Sequence, residues 1–251
     1  GVSAFGGSSY AVEDNDMMDA EAQYCAMEAE LQEYLDTYES THDYDEYHYD
    51  LDEIEHDPYV LLSAISALHG GEWTIDEIGG TLQMLFDKQY ILTETVETET
   101  RYRTETRIGT TTYTDPETGE TITETYEYEV QVPYTYYICT VELENFNLSH
   151  VPVYIMSEEQ LSMYATYMST LGNRPDLYPD SFYVDAYVNT EYEDYEIPAS
   201  ALSDPQFAAM MEEAEKYLGY PYVWGGSNPN TSFDCSGFVS WVVNNCGVGW
   251  N

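Results

Sequence analysis

Cys235 stands between an acid and a hydroxyl, in the run Asp234-Cys235-Ser236, where a turn-rich loop meets a helical pattern. The loop is Asn228-Pro-Asn-Thr-Ser-Phe-Asp234, and Ser236-Gly-Phe-Val-Ser-Trp-Val-Val-Asn-Asn245 reads as a helix closed at Asn245 and Gly247. A thiol attacks a carbonyl as thiolate, so a nucleophilic cysteine needs its pKa brought down from about 8.5. A helix N-terminus does this with unpaired N–H groups and the positive end of the dipole. Phe238, Val239, Trp241 and Val242 give the helix an apolar side to pack. Upstream, Gly219, Gly225 and Gly226 let backbone pass close to a substrate, and Pro221 stiffens the approach. Asp204 before Pro205 caps a helix running through Phe207, Met210, Met211, Ala214 and Leu218.

The whole stretch Tyr217-Leu-Gly-Tyr-Pro-Tyr-Val-Trp-Gly-Gly-Ser-Asn-Pro-Asn-Thr-Ser-Phe-Asp-Cys-Ser-Gly-Phe-Val239 resembles the nucleophile motif of the NlpC/P60 cysteine peptidases. That family is papain-like and cuts peptidoglycan stem peptides. The resemblance covers about the last forty-five residues. It implies Cys235 as the nucleophile, with Tyr222 beside it to polarise the scissile carbonyl. It also implies Asp234 and Ser236 as the groups that bind the free amine of the stem peptide, and Trp224, Gly225 and Gly226 along the substrate. The implied reaction is hydrolysis of the γ-D-glutamyl-to-diamino-acid bond or a neighbouring stem bond, with no cofactor and no metal.

The family places its catalytic histidine, and a polar residue that orients it, after the cysteine. Here His42, His48, His56, His69 and His150 all precede Cys235, and residues 236–251 contain no histidine. Without a base to take the thiol proton and return it to the leaving amine, acyl transfer loses most of its rate. The expectation is the front half of a catalytic domain, cut at both ends and inactive alone, whose Phe238, Trp241 and Val242 lack their usual partners. Two other readings stand beside it. One is a non-catalytic cell-surface binding or assembly protein that keeps a vestigial motif. The other is a different papain-like acyl chemistry, such as an amidase or acyltransferase. A peptidase segment behind an acidic accessory region is also similar to wall hydrolases of Gram-positive conjugative elements. That implies an extracellular or wall-associated protein with stem peptides as substrate and cell-surface or conjugation-machinery proteins as partners.

Composition narrows the partners independently. The 251 residues carry 48 Asp and Glu against six Lys and Arg, a formal charge of −42. Binding DNA or RNA requires a basic face that displaces counterions, so nucleic acid is excluded, and an anionic membrane surface is disfavoured. No apolar run is long enough to span a membrane, and no EF-hand spacing is present. His42, His48 and His56 match no metal-ligand spacing. Of the four cysteines, Cys235 and Cys246 would lie roughly 16 Å apart on a continuous helix, too far to join. Pairing of Cys25 with Cys139 is left open.

The elements that must carry the motif read as α+β, in four parts. Residues 1–57 are an acidic helix, with Ala20, Tyr24, Met27, Leu31 and Leu35 along one side, and then a low-complexity linker over 40–57; residues 1–12 read as a loose end. Residues 58–172 are a small accessory domain for spacing, docking or wall targeting. It holds an apolar helix over Pro58–Leu68 closed by Gly70 and Gly71, and a helix capped by Thr74 with Glu77. A long hairpin turns at Asp115-Pro-Glu-Thr-Gly-Glu120, placing Arg107 opposite Glu127 or Glu129, and a further strand runs through 136–143 into 151–156. A helix starts at Ser157 over Leu161, Tyr164, Ala165 and Met168 and ends at Gly172. The outline of two helices and a hairpin is winged-helix-like. Residues 173–203 are a proline-marked linker, and 204–251 are the N-terminal part of the peptidase domain.

Overall fold

The structure is a computed structural model that describes residues 7–188 and 196–248. In chain order its elements are α1 (Asp14–Asp36), α2 (Tyr38–Thr41), β1 (Glu46–Leu51), α3 (Pro58–Leu68) and α4 (Gly79–Gln89). Then come β2 (Tyr90–Thr114), β3 (Thr121–Asn145), α5 (Pro152–Ile155), α6 (Glu158–Thr170) and α7 (Phe182–Val188). The chain closes with α8 (Ala199–Leu202), α9 (Pro205–Glu215), β4 (Ser227–Asn228), β5 (Ser232–Phe233) and α10 (Cys235–Asn245). Helices and strands mix as an α+β protein. The chain divides into two compact units: residues 1–34, 52–91 and 144–251, and residues 35–51 and 92–143.

In the larger unit, α3 is apolar on every side, and a helix of that kind must be enclosed. Tyr59 through Ala67 are all buried. Asp57 caps its first turn by accepting from the Tyr59 N–H at 2.9 Å, with Pro58 at the first helical position. α6 packs along it with Leu161, Tyr164, Ala165 and Met168 buried, and Met17, Ala20 and Tyr24 of α1 and Leu82 and Leu85 of α4 are buried in the same unit. The Leu and Met side chains among these each contribute about 1.5–3 kcal/mol when fully enclosed. α1 carries acids in its first turn and no base in its last, so packing rather than charge sustains it. The buried face differs from the sequence expectation: Met27 and Leu31 are only half-buried, and Met17 is buried as well. Glu28 is buried instead of solvated, because it pairs with His56.

Two segments expected to be loose are docked in this unit. The Tyr10 N–H donates to the Gly172 carbonyl at 3.1 Å, and its hydroxyl pairs with Ser63 at 2.8 Å. Residues 1–6 of the expected loose end lie outside the described residues. In the expected linker, the Arg174 carbonyl accepts from the Tyr59 hydroxyl at 2.6 Å, and the Ser181 hydroxyl donates to Asp57 at 2.6 Å. Polar atoms at the ends of α3 thus draw these segments in. Thr74 and Glu77 form the expected capping box, but on a single 3-10 turn, Ile75–Glu77, that precedes α4. The capping box of α6 joins Ser157 and Gln160 as expected. Residues 152–155 form α5, not a strand: Pro152 has no N–H for a ladder and starts a helical turn.

In the smaller unit, β3 lies between β1 and β2. The turn forms where predicted, with the Asp115 N–H donating to the Glu120 carbonyl at 2.8 Å and Gly119 at φ 72°. Residues 46–51, read from sequence as part of a linker, pair in parallel with residues 138–143 of β3. Alternation of Tyr47 and Tyr49 with polar residues makes that segment a strand once a partner edge is offered. Tyr38 anchors it from α2, edge-on to both rings, and its hydroxyl meets the buried Cys139 thiol. Cys25 and Cys139 are both free. The arginines pair differently from the expectation. Arg101 reaches Glu99, and Arg103 and Arg107 reach Glu105, each two residues along the same strand face rather than across it. Most of the hairpin is exposed on both faces, Ile108 at 71% and Tyr102 at 64%, so its apolar parity does not build a core.

Gly172 joins the N-terminal segment to the larger unit. Its φ is +61°, and a Cβ there would stand 2.2 Å from the Tyr10 ring. Gly172→Ala is expected to destabilise by more than about 1 kcal/mol, through the left-handed backbone and displacement of Tyr10. Thermal unfolding checks this: a melting temperature unchanged from the parent chain would show that Tyr10 does not pack there.

Candidate active site

The motif folds as a backbone crossing so close that two positions admit only glycine. Asp204 Oδ1 caps α9, accepting from Gln206 N–H at 2.8 Å and Phe207 N–H at 3.3 Å. After α9 the chain turns through Gly219, at φ +84°, and Val223 buries its side chain while its N–H donates to the Phe233 carbonyl at 2.9 Å. β4 and β5 form a two-residue antiparallel pair, joined by a turn in which Asn228 Oδ1 accepts from Asn230 N–H at 3.0 Å. The first turn of α10 then lies directly on β4. A Cβ on Gly237 would fall 2.0 Å from the Gly226 carbonyl oxygen, and one on Gly226 would fall 2.6 Å from that of Ser232.

Asp234 holds this crossing together. One carboxylate oxygen accepts from the Gly237 N–H at 2.6 Å and the Ser236 hydroxyl at 2.8 Å; the other accepts from the Gly225 N–H at 3.0 Å. Its own N–H donates to the Gly226 carbonyl at 2.9 Å. The Gly237 N–H above all, with Ser236 and Gly225, holds the Asp234 carboxyl below the usual carboxylate range. Asp234 is thereby the N-cap of α10, a role that its place before a helical pattern could have signalled. Cys235 follows as the first residue of α10, exposed to solvent. Tyr222 is 58% exposed, and its hydroxyl pKa is raised by partial burial and by the nearby Asp234 and Cys235. Tyr222, Asp234, Cys235 and Ser236 are therefore neighbours around one exposed thiol.

Trp224 and Gly225 also meet residues from the segment around 150–153. The His150 ring stacks on Trp224 with centroids 4.2 Å apart and planes 22° apart. A Cβ on Gly225, which sits at φ +71°, would lie 2.4 Å from a Val153 methyl. Burial lowers the His150 pKa, favouring the neutral ring. This contact with a histidine far upstream has no signal in the sequence, whose spacing places His150 in no relation to the motif.

The aromatic residues of α10 find local partners within residues 213–241, distinct from the downstream partners expected to be missing. Phe233 packs against Tyr217 at 5.2 Å, Phe238 at 5.7 Å and Trp241 at 6.2 Å between ring centroids. The Trp241 indole N–H donates to the Tyr217 hydroxyl at 2.8 Å, and that hydroxyl donates to Glu213 at 2.6 Å. Val242 is buried and Val239 is 58% exposed, so the apolar side is covered in part. Cys246 is free.

Asp234→Ala is expected to destabilise α10 by about 0.5–2 kcal/mol. Because the folded pKa of Asp234 is depressed, its contribution is complete above the ordinary carboxylate pKa, about 3.9, and is lost as pH falls through the lower folded value. Amide exchange over 235–245 should accelerate on acidification below about pH 4 in the parent chain, with that pH step missing in Asp234→Asn. An equal step in both would assign it to another group.

With this geometry in place, the NlpC/P60 family matches residues 219–251. Among curated proteins, the chain is similar to the Bifunctional muramidase/DL-endopeptidase CwlT of Bacillus subtilis (strain 168), 55% identical over 42 residues, 17% of this chain and 13% of that protein. It is similar to the Probable endopeptidase p60 of Listeria grayi, 51% identical over 49 residues, 20% of this chain and 9% of that protein. It is also similar to the Gamma-DL-glutamyl hydrolase of Bacillus subtilis (strain 168), 55% identical over 42 residues, 16% and 10% of the two chains. The chain thus spans about a tenth of the length of these relatives. No solved structure matches it. Over residues 219–251, where Asp234 and the paired glycines set Cys235 at the head of α10, the chain is similar to the NlpC/P60 family.

Proposed function

We propose that this chain carries the nucleophile segment of a hydrolase that cleaves peptidoglycan stem peptides, working outside the cell or at the wall of a Gram-positive bacterium. The observation that carries this reading is the exposed Cys235 thiol at the first position of α10, with Asp234, Ser236 and Tyr222 around it. Relatives named endopeptidase and DL-endopeptidase, matched through this same segment, support it. The bond is the γ-D-glutamyl-to-diamino-acid bond or a neighbour in the stem. Cys235 attacks the carbonyl as thiolate from the first position of α10. Tyr222 polarises that carbonyl, and Asp234 and Ser236 receive the free amine of the stem peptide. Because Asp234 already caps α10, it presents its remaining lone pairs from a fixed position, which favours orientation over reach.

The base is the weak part of this chain taken alone. All five histidines precede Cys235. His150 touches the motif, but through Trp224, where it serves packing. We therefore read the chain as poorly active by itself, and read Trp224 and Gly225 as substrate contacts only once Val153 and His150 give way. A binding role without cleavage is the second reading, favoured by this covered face.

A muropeptide digest with the full gene product and its Cys235→Ser variant decides between them. Cleavage should fall at least about 10³-fold in the variant. Binding of muropeptides without cleavage by the full product would overturn the hydrolase reading and leave the second.

A further inference from the structure

A second cluster of reactive side chains lies outside the motif, in the larger unit. Glu21 and Cys25 stand one turn apart on α1, and His56 comes to them from the segment before α3. The nearest ligand atoms of these three residues lie within 4.8 Å of one another. His56 Nε2 is 2.8 Å from a Glu21 carboxylate oxygen, and Cys25 Sγ is 3.4 Å from the other. The imidazole is buried, its side chain 2% exposed, while Cys25 is open to solvent and leaves a path for entry.

What distinguishes the cluster from a surface acid patch is its support. His56 Nδ1 is 2.5 Å from Glu28, a buried carboxylate that also accepts from the Tyr90 hydroxyl. Tyr24 packs edge-on to the imidazole at 4.7 Å. A carboxylate behind one ring nitrogen fixes the ring and aims the other nitrogen at a ligand, the arrangement that metal-binding histidines use. Thiolate, imidazole and carboxylate together suit a borderline cation of the zinc class better than calcium or magnesium, which take oxygen ligands.

We propose that Glu21, Cys25 and His56 bind a divalent cation of the zinc class, with Glu28 orienting His56. Without the ion, the two ring nitrogens of His56 meet Glu21 and Glu28. On binding, any proton on Nε2 and the thiol proton leave to solvent, and three ligand bonds form, with a fourth position open to water.

The test uses the chain with Cys235→Ser and Cys246→Ser, so that the exposed thiol left is Cys25. Cobalt(II) alone is added first, and absorption in the near ultraviolet reports a thiolate–metal bond. Zinc(II) should abolish that band at one equivalent, and a large excess of calcium(II) should not. Cys25→Ser should remove the band, and Glu28→Gln should weaken zinc binding by about 10–100-fold. Cys25 is exposed, so its variant keeps the fold even where His56→Gln does not. A band that never appears, that survives Cys25→Ser, or that calcium displaces would overturn the site and leave His56 as a buried ion-pair partner.

Discussion

Enclosure of α3 is the constraint on which the larger unit depends. A helix apolar around its whole circumference cannot face water on any side, and α6 packs along it. The demand extends to the helix ends. Tyr59, Ser63 and Asp57 are polar groups at or near the buried start of α3, and each must find a partner or lose the hydrogen bonds that water gave it. They find them on residues 10, 174 and 181, and in doing so they draw in segments whose own sequences hold little reason to be ordered.

Charge works against this arrangement. Forty-eight acids face six Lys and Arg, so most carboxylates have no cation to meet and must be solvated. The few cations and the buried imidazole are used locally. Arg174 clasps Asp14 and Asp176 at the surface, where the gain is small, while His56 holds Glu21 and Glu28 in a buried setting, where an unpaired carboxylate would be costly. Near-uniform negative charge also explains why the hairpin arginines fold back on acids of their own strand. The same strand face offers an acid two residues away at little conformational cost.

At the motif the governing effect is backbone proximity. Gly226 and Gly237 allow the first turn of α10 to sit on β4, and Asp234 ties Gly225, Ser236 and Gly237 to one carboxylate. This leaves Cys235 exposed and Phe233 at the centre of an aromatic cluster that holds α10 from below. Short-range contacts within about thirty residues suffice to shape the nucleophile, which is why a match of such limited length still has a definite geometry.

The sequence by itself determined what depends on neighbours along the chain. The helix over Pro58–Leu68, the turn at Asp115–Glu120, the caps at Asp204, Ser157 and Thr74, and the place of Cys235 at a helix start all follow from periodicity, capping and turn chemistry acting over a few residues. Tertiary structure alone decided which distant segments meet. Residues 46–51 are a strand only because the edge of β3 accepts them, and residues 152–155 are a helix although their composition reads as a strand. Spacing could not reveal His56 between Glu21 and Glu28, His150 on Trp224, or Tyr10 on Gly172. Those pairings are set by the closing of the core around α3, and that closure joins residues whose separation along the chain carries no information about their distance in space.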